Sequence, residues 1–392
     1  PYELVVTLRE RKLTAPQLVQ SFRERRFTPP IIYQRKVQLV VIDTKPAPTD
    51  QTAWREIDDV QPGNAKWWER WSWLPHLKLA GEAHGPLDNG LVSLREHLGQ
   101  QLTELGPGGW QAAPLPISRI GVPHLLEVEY PNDLPQTLAI SVLETNAAGM
   151  VMPLGLDSGV DVVKSSASVT PGIEKHRLIF WPKTKTPWLL LSNRRDGKRA
   201  TFGKIRVLAG PTQLPPAAID PTPTDVRLLS AYYDKPLFPE NFSSPESLDE
   251  SAQKSLGDWN TFYTGGIRLV EYLKHVGYNS AILSVSRDGA TIYPSRLLDS
   301  TPRYDSGALF ISGQDLQQKD VLEMLFRLFD REQLQLIPSF HFATPLPELD
   351  ALQQQNGVAA EGIELVGYDG RSWPARYGTS RGQAPYYNPL DP

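Results

Sequence analysis

The sequence predicts a multidomain protein with two architectures in series: an N-terminal antiparallel β-sandwich, then an α/β segment. Three observations carry this. From Tyr2 to about Ile205, short runs rich in Val, Ile and Leu recur between Pro, Gly, Asn and Asp. A proline-dense stretch without periodicity, "AGPTQLPPAAIDPTPTD", follows at Ala209 to Asp225. Beyond it the rhythm becomes strand, helix, strand, helix, strand, which implies parallel strands with helical crossovers. At 392 residues the chain exceeds the usual single-domain size. The reading divides it into a sandwich over 1–208, a semi-rigid linker over 209–224 and an α/β domain over 225–392.

In the first part the expected strands are "YELVVTLRE", "YQRKVQLVVID", "HLLEVEYP", "QTLAISVLE", "HRLIFW", "PWLLLSN" and "FGKIRVL". Alternation in "HLLEVEYP" places Leu126, Val128 and Tyr130 on one face, with Glu127 and Glu129 on a wet one. Asp196-Gly197 between two strand candidates reads as a hairpin turn. "LVSLREHLGQQLTEL" fits an amphipathic helix and a strand pair equally well. The 36 prolines cluster between strand-like runs, as suits a loop-rich β domain. Trp67, Trp68, Trp71 and Trp73, with Trp110, Trp181 and Trp188 elsewhere, would close the end of a sandwich core or, if exposed, stack on sugars.

In the second part, "DVRLLSAYY" and "SAILSVS" are strand candidates, and "QLQLIPSFHFA" is the third. Between the first two, "DWNTFYTGGIRLVEYLKHVG" sets Ile267, Val270, Leu273 and Val276 on one helical side and ends on Gly277 as its cap. Between the last two, "QKDVLEMLFRLFDREQ" repeats the pattern through Val321, Leu322, Leu325, Leu328 and Phe329. A complete eight-fold β/α barrel takes about 250 residues. The chain from Asp225 to Pro392 is well short of that, so the expectation is the first part of a (β/α)8-type barrel, belonging to a longer protein.

A net charge of −4 gives no basic field for nucleic acid, and no apolar run approaches the ~20 residues that span a bilayer. Without cysteine there are no disulfides or thiolate sites. The first residue is proline, so any leader is expected to be already removed. The chain holds no GxxxxGK[ST], GxSxG, HExxH or EF-hand loop, and its seven histidines form no spaced ligand set. Neither a cofactor nor a metal is expected.

Several long strings, "GYNSAILSVSRDGATIYPS", "TPRYDSG", "KDVLEMLFRLFDREQLQLIPSFHFATPLPEL" and "YYNPLDP", resemble the opening of glycoside hydrolase-like (family 10-like) barrel proteins of planctomycete type. The region "GGWQAAPLPISRIGVPHLLEVEYPNDLPQTLAISVLETNAAG", with the strands after it, is similar to the jelly-roll or galactose-binding-like sandwich that precedes such barrels. The resemblance covers roughly Gly108 to Pro392. It implies an exported protein, extracellular or of the periplasm and envelope, that acts on a polysaccharide or glycan. A non-catalytic glycan-binding or envelope protein with protein partners is the alternative. In such barrels the catalytic carboxylates follow later strands, so the resemblance carries no catalytic residue onto this chain.

Barrel proteins work at the C-terminal ends of their strands, which selects candidate ligand contacts. These are Tyr232 and Asp234 after the first strand, Arg287, Asp288 and Tyr293 after the second, and His341 after the third. Aromatic rings stack on sugar faces, while carboxylates and imidazole bond hydroxyls. Alternation lets only one of Tyr232 and Tyr233 face a cleft, and Tyr232 is preferred. Asp288-Gly289 also reads as an ordinary turn pair, with Arg287 and Asp288 as a structural clasp. His341, between Phe340 and Phe342, reads as a core histidine or, if those rings pack on helices, as an inward ligand.

Overall fold

The computed structural model describes residues 2–9, 14–24, 30–45, 53–60, 87–145, 151–163, 170–217, 227–234, 242–244, 247–249, 254–256, 259–287, 290–296 and 319–340. It divides the chain into one unit over Pro1–Thr44 and a second over Lys45–Pro392.

In the first unit, β1 (Tyr2–Arg9) pairs antiparallel with β2 (Ile31–Leu39), Tyr2 opposite Leu39. Helix α1 (Ala15–Glu24) lies between them in sequence. Its start is a capping arrangement, in which Gln17 Oε1 accepts from both the backbone N–H and the hydroxyl of Thr14.

The second unit begins with the sandwich. Its strands are β3 (Arg55–Val60), β4 (Leu87–Asp88), β5 (Val92–His97), β6 (Gln100–Leu105), β7 (Trp110–Pro114) and β8 (His124–Pro131). They continue with β9 (Gln136–Thr145), β10 (Val151–Val162), β11 (Ile173–Phe180), β12 (Trp188–Asn193), β13 (Ala200–Phe202) and β14 (Ile205–Ala209). A five-stranded sheet, β10-β9-β12-β7-β4, faces a four-stranded one, β11-β8-β14-β3, and a three-stranded sheet, β13-β6-β5, adds to them. All their pairings are antiparallel. The core is alternating inward residues: Leu138, Ile140, Val142, Leu189 and Leu191 from one sheet meet Leu126, Val128, Leu178, Phe180, Ile205 and Val207 from the other.

Two sandwich expectations change and one open alternative is decided. Glu127 is not on a wet face: it is 4% exposed, because Arg177, Arg206 and Lys175 reach over it from the flanking strands. Long basic side chains cover the sheet with their stems and neutralise the carboxylate with their heads. The ladder continues from Arg206 to Glu56 on β3. Asp196-Gly197 does turn the chain, with Gly197 at φ 73°, but its flanking strands do not pair. β12 lies between β9 and β7, while β13 pairs with β6, so the turn carries the chain between sheets. "LVSLREHLGQQLTEL" is the hairpin β5–β6, whose two turn residues, Leu98 and Gly99, both have positive φ.

The α/β part contains β15 (Ser230–Tyr233), β18 (Ser280–Ser284) and β21 (Gln335–Ser339) in one sheet, with β18 central and both neighbours parallel to it. Helix α2 (Trp259–Val276) and helix α3 (Val321–Arg331) cross between them. Two short hairpins, β16 (Ser247–Asp249) with β17 (Lys254–Leu256) and β19 (Ser286–Arg287) with β20 (Ala290–Thr291), lie in the connections. The buried stripe of α2 is Phe262, Leu269, Val270 and Leu273, with Gly265 and Gly266. Ile267 is half-buried and Val276 exposed, so the stripe is rotated from the expected one. The glycines set that rotation, since a Cβ at Gly266 would come within 2.8 Å of Leu328 and 3.1 Å of Leu325.

Gly277 (φ 82°) ends α2, with Tyr278 N donating to Leu273 O at 2.9 Å, a Schellman closure. Asp320 caps α3 by accepting from Glu323 N at 2.8 Å. Leu283, Val285, Leu325 and Phe329 are all fully buried. Leu325→Ala should therefore cost about 3 kcal/mol in a urea unfolding curve through lost burial and a residual cavity. A loss below half of one would mean that the α2–α3 layer collapses freely around the gap.

Candidate functional site

The parallel register sets what each strand presents. Tyr232, Ile282 and Ile337 are in register, as are Tyr233, Leu283 and Pro338. Neighbours in register share a sheet face. Tyr233 and Leu283 are buried on the side that also buries Val285, while Tyr232 is 56% exposed and Ile282 and Ile337 are half-buried. Alternation thus separates the two tyrosines as the sequence suggests. Asp234 is exposed at the end of β15.

After β18 the chain turns back on the sheet. Val285 N donates to Ser339 O (3.0 Å), Ile292 N to Val285 O (3.1 Å), and Val321 N to Ile292 O (2.9 Å). This path brings Tyr293 against Phe340, edge to face at 6.1 Å, just past the end of β21. Burial raises the Tyr293 phenol pKa above its ordinary value, so the hydroxyl stays a donor at neutral pH. Phe340 is 45% exposed and so does not pack away against a helix, the premise used to orient His341.

Tyr232, Asp234, Tyr293 and Phe340 thus mark the C-terminal edge of the sheet, and among them Tyr293 and Phe340 are in contact. The backbone of Arg287 pairs with Ala290 in the β19–β20 hairpin. Asp288 and His341 lie outside the described residues, as do Trp67, Trp68, Trp71 and Trp73. Trp181 is buried, and Trp110 and Trp188 are half-buried. Among the described residues no group of three His, Asp or Glu side chains could hold a metal, and no helix is long and apolar enough to cross a membrane.

A second constellation joins the sandwich to the α/β part. Arg268 on α2 donates through Nη1 to Phe242 O (2.7 Å) and Ser243 O (2.6 Å), and through Nη2 to Gly121 O (3.1 Å). Its guanidinium lies over Trp181 at 5.8 Å. Phe242 stacks among Trp181, Tyr233 and Tyr272. Burial lowers the Arg268 pKa to about 10, which still leaves it charged. Residues 210–217 of the proline-rich stretch lie along α2 as a strap. Gly210 N donates to Pro123 O (2.8 Å), Leu214 N to Glu271, Ala217 N to Lys274 O (2.8 Å), and His275 Nδ1 to Pro215 O (2.7 Å).

Reading the sequence did not single out Arg268 or Glu271. The available signal was two opposite charges, three residues apart, embedded in the apolar "GGIRLVEYL".

The chain matches no protein-family model and no curated protein. It is similar in part to solved carbohydrate-binding modules. One is the CBM22-1 xylan-binding domain of Paenibacillus barcinonensis Xyn10C, with 12% identity, 41% of this chain, 97% of that one and a TM-score of 0.28. Another is a family 35 carbohydrate binding module from Clostridium thermocellum, with 11% identity, 32% and 92% coverage and a TM-score of 0.23. The exo-beta-1,3-galactanase Pc1,3Gal43A of Phanerochaete chrysosporium shares 16% identity over 32% of this chain and 28% of that one, at a TM-score of 0.22. Identities and TM-scores this low carry no inference about activity. The strand pairings themselves define the class, a protein built on an antiparallel β-sandwich, here continued by a parallel three-stranded α/β layer.

Proposed function

We propose that the chain is a glycan-binding part of a polysaccharide-active protein. The observation that carries this is the aromatic edge of the parallel sheet: exposed Tyr232 at the end of β15, and half-buried Tyr293 against exposed Phe340 past the ends of β18 and β21. Rings held at the C-terminal ends of parallel strands, where such folds bind ligands, suit the apolar faces of sugars. Arg287, Asp288 and His341 complete the proposed contacts, with Asp234 to accept from hydroxyls. The resemblance of the long strings to glycoside hydrolase-like barrels supports the same reading. In that proposal 225–392 is the opening of a barrel, the sandwich that follows the separate unit Pro1–Thr44 is the accessory domain, and O-glycosyl hydrolysis is a property of an exported full-length protein. Hydrolysis needs two carboxylates flanking one bond. Among the strand-end residues described, rings predominate, which favours binding as the role of this part.

Phe340→Ala and Tyr232→Ala tested on a glycan array against the unaltered chain should each weaken binding roughly 3- to 10-fold, the worth of one aromatic contact. Both rings are about half exposed, so the melting temperature should fall by no more than a few degrees. Full retention of binding in both variants would remove this edge as the site.

A further inference from the structure

The turn that carries the chain from β12 to β13, Arg194 to Arg199, exposes all six of its residues, and four of them are basic: Arg194, Arg195, Lys198 and Arg199. Asp196 is its one acid. An exposed charged turn is ordinarily a pliable, solvated one. This turn is held. Asn193, 3% exposed, donates through Nδ2 to Leu105 O (3.3 Å), Gly106 O (2.9 Å) and Lys198 O (2.7 Å), and its Oδ1 accepts from Arg195 N at 3.1 Å. One buried amide thus ties both sides of the turn to the end of β6, while Gly197 at φ 73° lets the chain reverse between them.

The basic charge is only partly compensated. Glu104, buried on β6, is shared by two cations, Arg199 and Arg95. Arg195 reaches Asp161 at 3.8 Å, and Asp161 also accepts from the Thr137 hydroxyl. Among the described residues Lys198 forms no ion pair. Of the groups in the turn or paired with it, five cations therefore face three carboxylates.

An aromatic side chain stands beside this charge. Trp110 is in register with Ser192, two residues before Arg194, and Asn193 N donates to Gly109 O at 2.9 Å. Leu189 and Leu191 point into the core, so Ser192 and Trp110 share the outward face of the five-stranded sheet, where Trp110 is half-buried.

We infer that the Arg194–Arg199 turn, together with Trp110, is a binding surface for an anionic glycan, one whose sugars carry carboxylate or sulfate groups. A guanidinium offers paired N–H donors to two oxygens of such a group, and an indole suits the apolar face of the sugar that bears it. A turn whose backbone Asn193 has already fixed loses little further freedom on binding. The inference rests on the glycan-binding reading for its class of ligand, and assigns the acidic members of that class to the sandwich rather than to the edge of the parallel sheet.

The test uses the full chain and two forms of one polymer, polygalacturonate and its methyl ester. A sulfated galactan supplies the other anion, and single-stranded DNA a polyanion that is not a glycan. In affinity electrophoresis one of the two acidic glycans should bind at least about tenfold more tightly than the methyl ester, with the advantage lost as salt rises from roughly 50 to 500 mM. Which one does so distinguishes carboxylate from sulfate. R195E/K198E should abolish the advantage, and Trp110→Ala should weaken it roughly 3- to 10-fold. Should R195E/K198E fail to fold, R195Q/K198Q takes its place. Neutral glycans held at Tyr232 and Phe340 should bind R195E/K198E as they bind the unaltered chain, so failure of the turn and failure of the sheet edge leave different patterns. The proposal is overturned by the absence of any preference for an acidic glycan over the methyl ester, by a preference that survives in the variant, or by DNA binding as tightly as the acidic glycans.

Discussion

Replacing Arg268 by alanine should lower stability by roughly 3–5 kcal/mol, since it removes two short charge-assisted bonds to Phe242 O and Ser243 O and leaves those carbonyls unpaired. The ring of Trp181 loses its cation, and the third bond, to Gly121, is the one that ties α2 to the sandwich. Unfolding should also change form. With this bolt in place the two parts share Trp181, Phe242 and the strap, and a single transition is expected. Without it the α/β layer should unfold before the sandwich, which keeps its own core. Arg268→Lys should recover only part of the loss, because an ammonium cannot span three carbonyls as a planar guanidinium does. Urea curves followed by near-ultraviolet and far-ultraviolet circular dichroism would check this. A loss under about 1 kcal/mol with coincident curves would show that α2 is held by its apolar stripe alone.

What the sequence reveals follows from which physical signals are local. Strands inside the sheet, such as β9 and β12, are legible because they are compact apolar runs rich in Val, Ile and Leu whose burial points inward. β10 is not: Pro153, Gly155 and Gly159 interrupt it, and it is a strand at the sheet edge whose register shifts between Leu154 and Ser158. Asp196-Gly197 shows the limit of turn chemistry. The dipeptide specifies a reversal, but the core decides which strands it separates. Glu127 shows the limit of binary patterning, because its cover comes from Arg177 and Arg206, 50 and 79 residues away.

At the candidate site, the split between Tyr232 and Tyr233 is readable from alternation. The meeting of Tyr293 with Phe340 is not, since it depends on how the chain after β18 folds back to the end of β21. Arg268 and Glu271 were hidden for a related reason: their partners are backbone groups, which leave no mark in composition.

Phe180→Ala should be the most damaging change within the sandwich, at about 3–5 kcal/mol, because the ring is fully buried at the end of β11 and its removal leaves a large cavity. The cost should also depend on pH. Phe180 lies 5.7 Å from the ring of His124, which is completely buried. His124 Nδ1 donates to Val122 O at 3.0 Å, and its Nε2 has no hydrogen-bond partner among the described residues. Burial holds the His124 pKa below the ordinary 6.5, outweighing the Val122 carbonyl. A histidine depressed in this way gives stability that is present above 6.5 and lost as pH falls through its folded pKa. Truncating Phe180 opens space through which water can reach Nε2, so the imidazole recovers toward 6.5 and the acid-side loss shrinks. The measured cost of Phe180→Ala should therefore be smaller at pH 5 than at pH 7.5. Equal costs at the two pH values would mean that the cavity stays dry and His124 remains sealed from solvent.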